Sequence, residues 1–137
     1  EIEFINYVIE DDIGCILNPL MLEGQILGGA GQGIGQALYE ETVYDETGQL
    51  VNGSFMDYIM PRADNIPPFD FHYTEVPSPS NRLGAKGAGE AGTIGSTPAV
   101  ANAVIDALAP LGVSDIEMPM TPLKIWQAIQ RASTKAA

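Results

Sequence analysis

The sequence predicts an α+β fold, with a mixed, mostly antiparallel sheet packed with helices. Three observations carry that expectation. The pairs Asn18-Pro19, Thr97-Pro98 and Thr121-Pro122 each set a capping side chain before a proline suited to the first helical position. Short runs of alternating apolar and polar residues lie between these starts. The resulting order is strand, helix, hairpin, strand, helix, strand, helix.

The first strand is expected in the alternating run from Glu1 to Ile9, closed by a turn at Glu10, Asp11 and Asp12. Those three acids read as solvated, because no further ligand pattern accompanies them. A chain that starts inside such a run, without an initiator Met, is expected to be a piece of something larger. Pro19 to Glu40 reads as a long helix, with Leu22, Ile26, Ala30, Ile34, Ala37 and Leu38 near a helical period. It would run about 33 Å. Each of its interior glycines costs ~1 kcal/mol relative to Ala. Such a load requires very close packing against another backbone or a ligand, or a break near Gly31.

Glu41–Tyr44 and Gln49–Val51 flank Asp45-Glu46-Thr47-Gly48, a hairpin signal, and Asn52-Gly53 marks another turn. Phe55–Ile59 fits either a strand or a short helix, and Pro61–Pro68 reads as a loop. Phe71–Val76 alternates like a strand and leads through a polar loop, Pro77–Asn81, into the glycine-rich stretch Gly84–Gly95. The second helix is expected from Pro98 to about Ala109, well buried, with Pro110 and Gly112 stopping it. Val113–Met118 reads as a short strand. The last helix is expected from Pro122 to about Arg131, with Trp126 in the core and Lys124 and Arg131 exposed.

A chain of 137 residues, 45% hydrophobic, supports one domain, residues 1–137. Its net charge of −12 argues against nucleic acid and anionic membrane surfaces as partners. The apolar stretches read as too short for a membrane span. One cysteine, Cys15, excludes an internal disulfide or an all-Cys iron–sulfur cluster within these residues, and reads as a buried, inert thiol. The one histidine, His72, makes a self-contained zinc site unexpected and reads as a surface strand residue. A reducing, cytoplasmic setting is the default expectation.

The stretch GAKGAGEAGTIG holds one acid, Glu90. Nearly bare backbone gives close access to a bulky ligand, and a lone carboxylate there can move protons. A flexible surface loop with a solvated Glu fits the composition as well, and composition by itself favours it. Gly87-Ala88-Gly89-Glu90-Ala91-Gly92 matches G-x-G-x-x-G, but a dinucleotide fold needs that motif directly between a strand and its helix. Here a proline-rich loop precedes it, and the next helix is expected only at Pro98. Glu90 would also face pyrophosphate with like charge. Lys86, four residues before Glu90, is either an incidental ion pair or a cation at a ligand's polar edge.

An ordered set of residues carries a resemblance. Asn18-Pro19, Glu23-Gly24-Gln25, Gly28-Gly29, Gln32-Gly33-Ile34-Gly35, Ala37-Leu38-Tyr39-Glu40, Asn52, Asp57-Tyr58, Gly84 to Glu90 and Thr121-Pro122 occur in sequence. Over nearly the whole chain this resembles the C-terminal part of the molybdopterin-binding large subunit of the xanthine dehydrogenase, aldehyde oxidoreductase and aerobic carbon monoxide dehydrogenase family.

The resemblance implies a molybdenum cofactor-binding domain and a molybdopterin cofactor, in bacteria usually its cytosine dinucleotide form. It implies oxidation of a carbon centre (aldehyde, N-heterocycle or carbon monoxide) with water-derived oxygen. By position in the family's K-G-x-G-E segment, Glu90 is the general base. Gln32 and the backbone of Lys86, Gly87, Ala88 and Gly89 are the cofactor contacts, and no protein side chain here is expected to ligate the metal. The implied partners are the remainder of the large subunit, iron–sulfur and flavin (FAD) domains or subunits, and a small-molecule substrate. The family's upstream cofactor contacts and its substrate-loop residues lie outside this sequence. The chain alone is therefore expected to lack molybdenum, to be inactive, and to self-associate through faces other domains would cover. A non-catalytic assembly or binding domain that keeps the fold without metal is the competing reading.

Overall fold

A computed structural model describes residues 2–135 of the chain, Lys135 through its backbone. Glu1, where the first strand was expected to begin, and the last two residues of the expected 1–137 domain lie outside them. The elements run β1 (Val8–Asp12), α1 (Pro19–Leu38), β2 (Asp70–Thr74), α2 (Ala91–Leu108) and α3 (Pro122–Lys135). Short 3-10 turns occupy Ala63–Asn65 and Ala109–Leu111.

The α+β class holds, but the sheet is not mostly antiparallel. It has two parallel strands, with Val8 opposite Asp70 and Asp12 opposite Thr74. The connection explains this: α1 lies between the strands in sequence, and a helical crossover brings the chain back to start a parallel neighbour. Antiparallel pairing survives as two isolated bridges, Gly14 with Ala85 and Tyr44 with Leu50. The second is the expected hairpin, closed by Asp45, whose carboxylate accepts from Thr47 N–H at 2.8 Å and Gln49 N–H at 3.0 Å.

The first strand starts at Val8, later than expected, and takes in the three acids. Before it, Ile2, Phe4 and Tyr7 pack individually against the core. Tyr7 meets Phe69 edge-on at 5.0 Å. Val113–Met118 forms no strand, since no partner strand lies beside it; Val113 and Ile116 enter the core from extended chain. Phe55–Ile59 is a turn closed by hydrogen bonds from Asp57 and Tyr58 N–H to Ser54 O.

Asn18 caps α1, its side chain accepting from Met21 N–H at 3.1 Å, with Pro19 at the first position. The helix continues unbroken through Gly31. Its buried stripe carries Ile26, Ile34 and Leu38, each no more than 2% exposed and worth roughly 1.5–3 kcal/mol in burial.

The second helix begins at Ala91, seven residues before Pro98, which sits inside it. An interior proline loses a backbone hydrogen bond and costs ~3 kcal/mol or more. The contact with α1 offsets that cost. Thr93 Oγ1 donates to Gly29 O at 3.0 Å, and Ser96 Oγ to Ala30 O at 2.8 Å. The two helices run parallel in close contact, pairing Ile26 with Gly92, Gly29 with Thr93, and Gly33 with Ser96. A Cβ on Gly92 would collide with the Ile26 carbonyl oxygen, so only glycine admits this approach.

Only one face of α2 is buried, through Gly92, Ser96, Val100 and Val104. With its 3-10 extension, Ala91–Leu111 is long and apolar enough by composition to cross a membrane, contrary to the expectation from the sequence. One stripe of it packs along α1, and its other faces are half-buried or exposed. Helix α3 continues past Arg131 to Lys135 and buries Ala128, with Ile125 and Ile129 against the core. Trp126 points away from that face and is 58% exposed, so it is not a core residue. Lys124 is half-buried and pairs with Glu41 at 3.2 Å, while Arg131 is exposed.

Candidate functional site

The glycine-rich stretch is anchored at its start. Cys15 N–H donates to Gly84 O at 2.9 Å, and Lys86 N–H donates to Ile13 O at 3.0 Å. Gly84 is buried at φ +67, a backbone state that strains any other residue, with Cys15 Sγ and Pro77 filling the space of a Cβ. Asn81 brackets Ala85, accepting from its N–H at 3.2 Å and donating to its O at 2.9 Å. Cys15 itself is half-buried rather than fully enclosed.

Asp12, at the end of β1, gathers three segments. Its carboxylate accepts from Lys86 Nζ at 2.5 Å, from Gly14 N–H at 3.1 Å and from Val76 N–H at 3.1 Å. The Lys86 hydrogen bond, then those from Gly14 and Val76, hold the Asp12 carboxyl below its usual range. The acids that read as uniformly solvated are therefore unlike one another. Asp11 Oδ2 is buried without a hydrogen-bond partner among the described residues. It shares a cleft of about 190 Å³ with Ala91 and Gly92, at the first turn of α2, where the helix dipole favours negative charge.

Glu90 is the N-cap residue of α2, and its carbonyl accepts from Ile94 N–H at 3.0 Å. Its carboxylate is exposed and caps no backbone N–H. Ala88 and Ala91 on either side pack against the Ile13, Leu22 and Ile26 cluster. The acid thus stands at a helix terminus, with packed residues on either side. The helix start at Ala91 also removes one ground for setting aside the dinucleotide motif. The other ground stands, because β2 ends at Thr74 and the loop through Pro77 and Pro79 separates it from Gly87.

Lys86 stands differently from the expectation. Its N–H is spent on Ile13 and its ammonium on Asp12 rather than Glu90, so only Gly87, Ala88 and Gly89 keep N–H groups without an acceptor among the described residues. Gln32 is exposed on α1, and its amide has no partner among the described residues. It is not brought against Glu90: it lies six residues beyond Ile26, roughly 9 Å further along the helix axis. Only a ligand of extended shape reaches both.

Two groups of glycines bear on the site. Gly29, Gly33 and Gly92 are explained by the helix seam. Gly24, Gly28, Gly87, Gly89 and Gly95 have nothing within 4 Å of a built Cβ, so packing within this chain does not explain them. Open glycine faces, unclaimed N–H donors and a free amide suit a large ligand with anionic and heterocyclic edges. Among the described residues no group of three or more His, Cys, Asp or Glu could hold a metal ion. His72 is exposed beside Asp70 at 3.0 Å and takes no part. Asp12, Thr93 and Ser96 were missed from sequence; the only signal for Asp12 was its place at the end of an acidic run.

Residues 1–67 match the model of a family described as "Molybdopterin cofactor-binding domain". The chain is 48% identical over 118 residues to the nicotine 6-hydroxylase large subunit of Paenarthrobacter nicotinovorans, covering 86% of this chain and 14% of that protein. Carbon monoxide dehydrogenase from Oligotropha carboxidovorans superposes with a TM-score of 0.89 at 36% identity, covering 96% of this chain and 16% of that one. Quinoline 2-oxidoreductase from Pseudomonas putida 86 superposes with a TM-score of 0.86 at 44% identity, covering 90% and 16%. The chain thus spans about a sixth of the length of these relatives.

Proposed function

Since the chain belongs to the family of molybdopterin-binding large subunits of xanthine dehydrogenase, aldehyde oxidoreductase and carbon monoxide dehydrogenase, we propose that it serves in a molybdopterin-dependent oxidoreductase that oxidises a carbon centre with water-derived oxygen. The supporting observation is the open glycine face around Glu90, with the unclaimed N–H groups of Gly87, Ala88 and Gly89 beside it.

When bound, the cofactor, in its cytosine dinucleotide form, supplies the two-electron redox chemistry that these side chains lack. The N–H groups of Gly87, Ala88 and Gly89 bind its anionic edge, and the Gln32 amide donates to and accepts from its heterocycle. Glu90 is the general base: its carboxylate takes the proton from the water-derived oxygen that attacks the substrate carbon. The absence of a capping bond leaves that carboxylate free to turn toward the ligand. Small neighbours, Ala88, Gly89 and Ala91, leave room for substrate beside it, and the rest of the large subunit excludes bulk water. Iron–sulfur and FAD domains or subunits would be the partners that take up the electrons, in a reducing, cytoplasmic setting.

The test is turnover by the assembled enzyme, offered carbon monoxide, an aldehyde and an N-heterocycle in isotopically labelled water. Molybdenum-dependent incorporation of the label into one product supports the reading. Product oxygen that comes from dioxygen, or no molybdenum-dependent turnover with any of the three, overturns it.

A further inference from the structure

The geometry points to Asp12 and Lys86 as a positioning latch for the base: the ion pair fixes the Gly84–Glu90 segment to the sheet and so sets where the Glu90 carboxylate stands. The inference rests on the reading of Glu90 as the base. Its own grounds are separate. Three donors from three places in the chain converge on one carboxylate: Lys86 Nζ, Gly14 N–H and Val76 N–H. Gly14 follows β1, Val76 follows β2, and Lys86 opens the segment that ends at Glu90.

From Lys86 onward the segment has no further hydrogen-bonded tie to the sheet. Gly87, Ala88 and Gly89 donate to nothing among the described residues. The next fixed point is α2 itself, held by Gly92, Thr93 and Ser96 against α1. Three residues with little or no side chain thus span two anchors. Gly87 and Gly89 leave this span more conformational freedom than other residues would, while Ala88 packs against the Ile13, Leu22 and Ile26 cluster. Backbone hydrogen bonds hold the near end at Gly84 and Lys86, and the ion pair with Asp12 adds a side-chain tie there. A surface ion pair is worth little to global stability. Its effect is local, on orientation.

The pair is distinct from the cofactor contacts. Lys86 turns its ammonium toward Asp12 and donates its N–H to Ile13 O, so its role in this proposal runs through the segment. Asp12 and Lys86 are therefore positioning residues, not catalytic ones.

The experiment uses the assembled enzyme with Asp12→Asn, Lys86→Met, Lys86→Arg and the double Asp12→Asn/Lys86→Met. Each variant is read for molybdenum content, kcat, KM and amide hydrogen exchange at Lys86, whose N–H is bonded to Ile13 O, with Glu90→Gln run beside them. The latch predicts faster exchange at the Lys86 amide in Asp12→Asn and Lys86→Met, full molybdenum content and unchanged KM. Their kcat falls by roughly 10- to 100-fold, the scale of a misplaced reacting group. Lys86→Arg restores most of the rate, and the double variant loses no more than the worse single.

Wild-type exchange in both single variants overturns the latch. So does faster exchange with wild-type kcat, or a fall in rate that only tracks lost molybdenum. Should Asp12→Asn fail to assemble, Lys86→Met and its Arg counterpart decide by the same readings. A near-normal rate in Glu90→Gln instead removes the base reading, and the exchange result still reports whether the ion pair holds the segment.

Discussion

Ser96 of α2 donates its hydroxyl hydrogen to the Ala30 carbonyl oxygen of α1 at 2.8 Å while accepting from Tyr7 Oη at 2.8 Å. Ser96 is only 3% exposed. One hydroxyl thus joins the N-terminal segment, the first helix and the helix that carries the candidate base. Ser96→Ala removes both bonds and leaves the Tyr7 hydroxyl without this acceptor. The expected loss is about 1–3 kcal/mol in urea unfolding. A loss below the error of the measurement would show that the Ser96 hydroxyl does not hold the seam.

Two glycines near the acid should behave in opposite ways. A Cβ at Gly92 runs into the α1 backbone, which cannot swing aside, so Gly92→Ala is expected to destabilise by about 1–3 kcal/mol or more. A Cβ at Gly89 meets nothing within 4 Å, and Gly89→Ala should leave unfolding unchanged. In the assembled enzyme the same Gly89→Ala is expected to lower molybdenum content or turnover. Equal destabilisation by the two substitutions would contradict the division of the glycines into packed and open groups.

Gln32→Ala tests the cofactor face of α1. The side chain is exposed and makes no hydrogen bond among the described residues, so thermal unfolding should not change. Cofactor retention by the assembled enzyme should fall, read as molybdenum per subunit after dialysis. Unchanged retention would remove Gln32 from the contacts.

The Asp12 carboxyl is held below its ordinary value of 3.8 by Lys86, Gly14 and Val76. A depressed folded value means the folded state binds the proton less readily than the unfolded chain. The group's contribution is therefore fully present above pH 3.8 and lost as pH falls through the lower folded value. Protection of the Lys86 amide, taken relative to its intrinsic exchange rate at each pH, should fall across that acidic window and not above it. In Asp12→Asn the window should disappear, and persistence of the same acid transition there would assign it to another group.

The legible parts of the fold were those set by local chemistry. Asn18-Pro19 fixed the start of α1, and the spacing of Ile26, Ala30, Ile34 and Leu38 gave its buried stripe. The hairpin at Asp45 was legible for the same reason. The start of α2 was not, because Thr97-Pro98 carries a local start signal that contact with α1 overrides: Gly92, Thr93 and Ser96 are poor helix formers chosen for close approach. Trp126 misled in the opposite way, since hydrophobicity alone does not say which side of α3 faces inward. Parallel pairing of β1 with β2 depends on where a long crossover returns, which no short window of sequence carries. The candidate site was legible as a motif. Its support, through Asp12, depends on residues 74 positions apart meeting in space.

Glu90→Gln in the assembled enzyme addresses the central claim most directly. The change keeps the shape of the side chain and removes its capacity to take a proton. With molybdenum content matched to the parent enzyme, kcat is expected to fall by roughly two to four orders of magnitude. A variant with full cofactor and a turnover rate within a few-fold of the parent would contradict the claim that this carboxylate is the base.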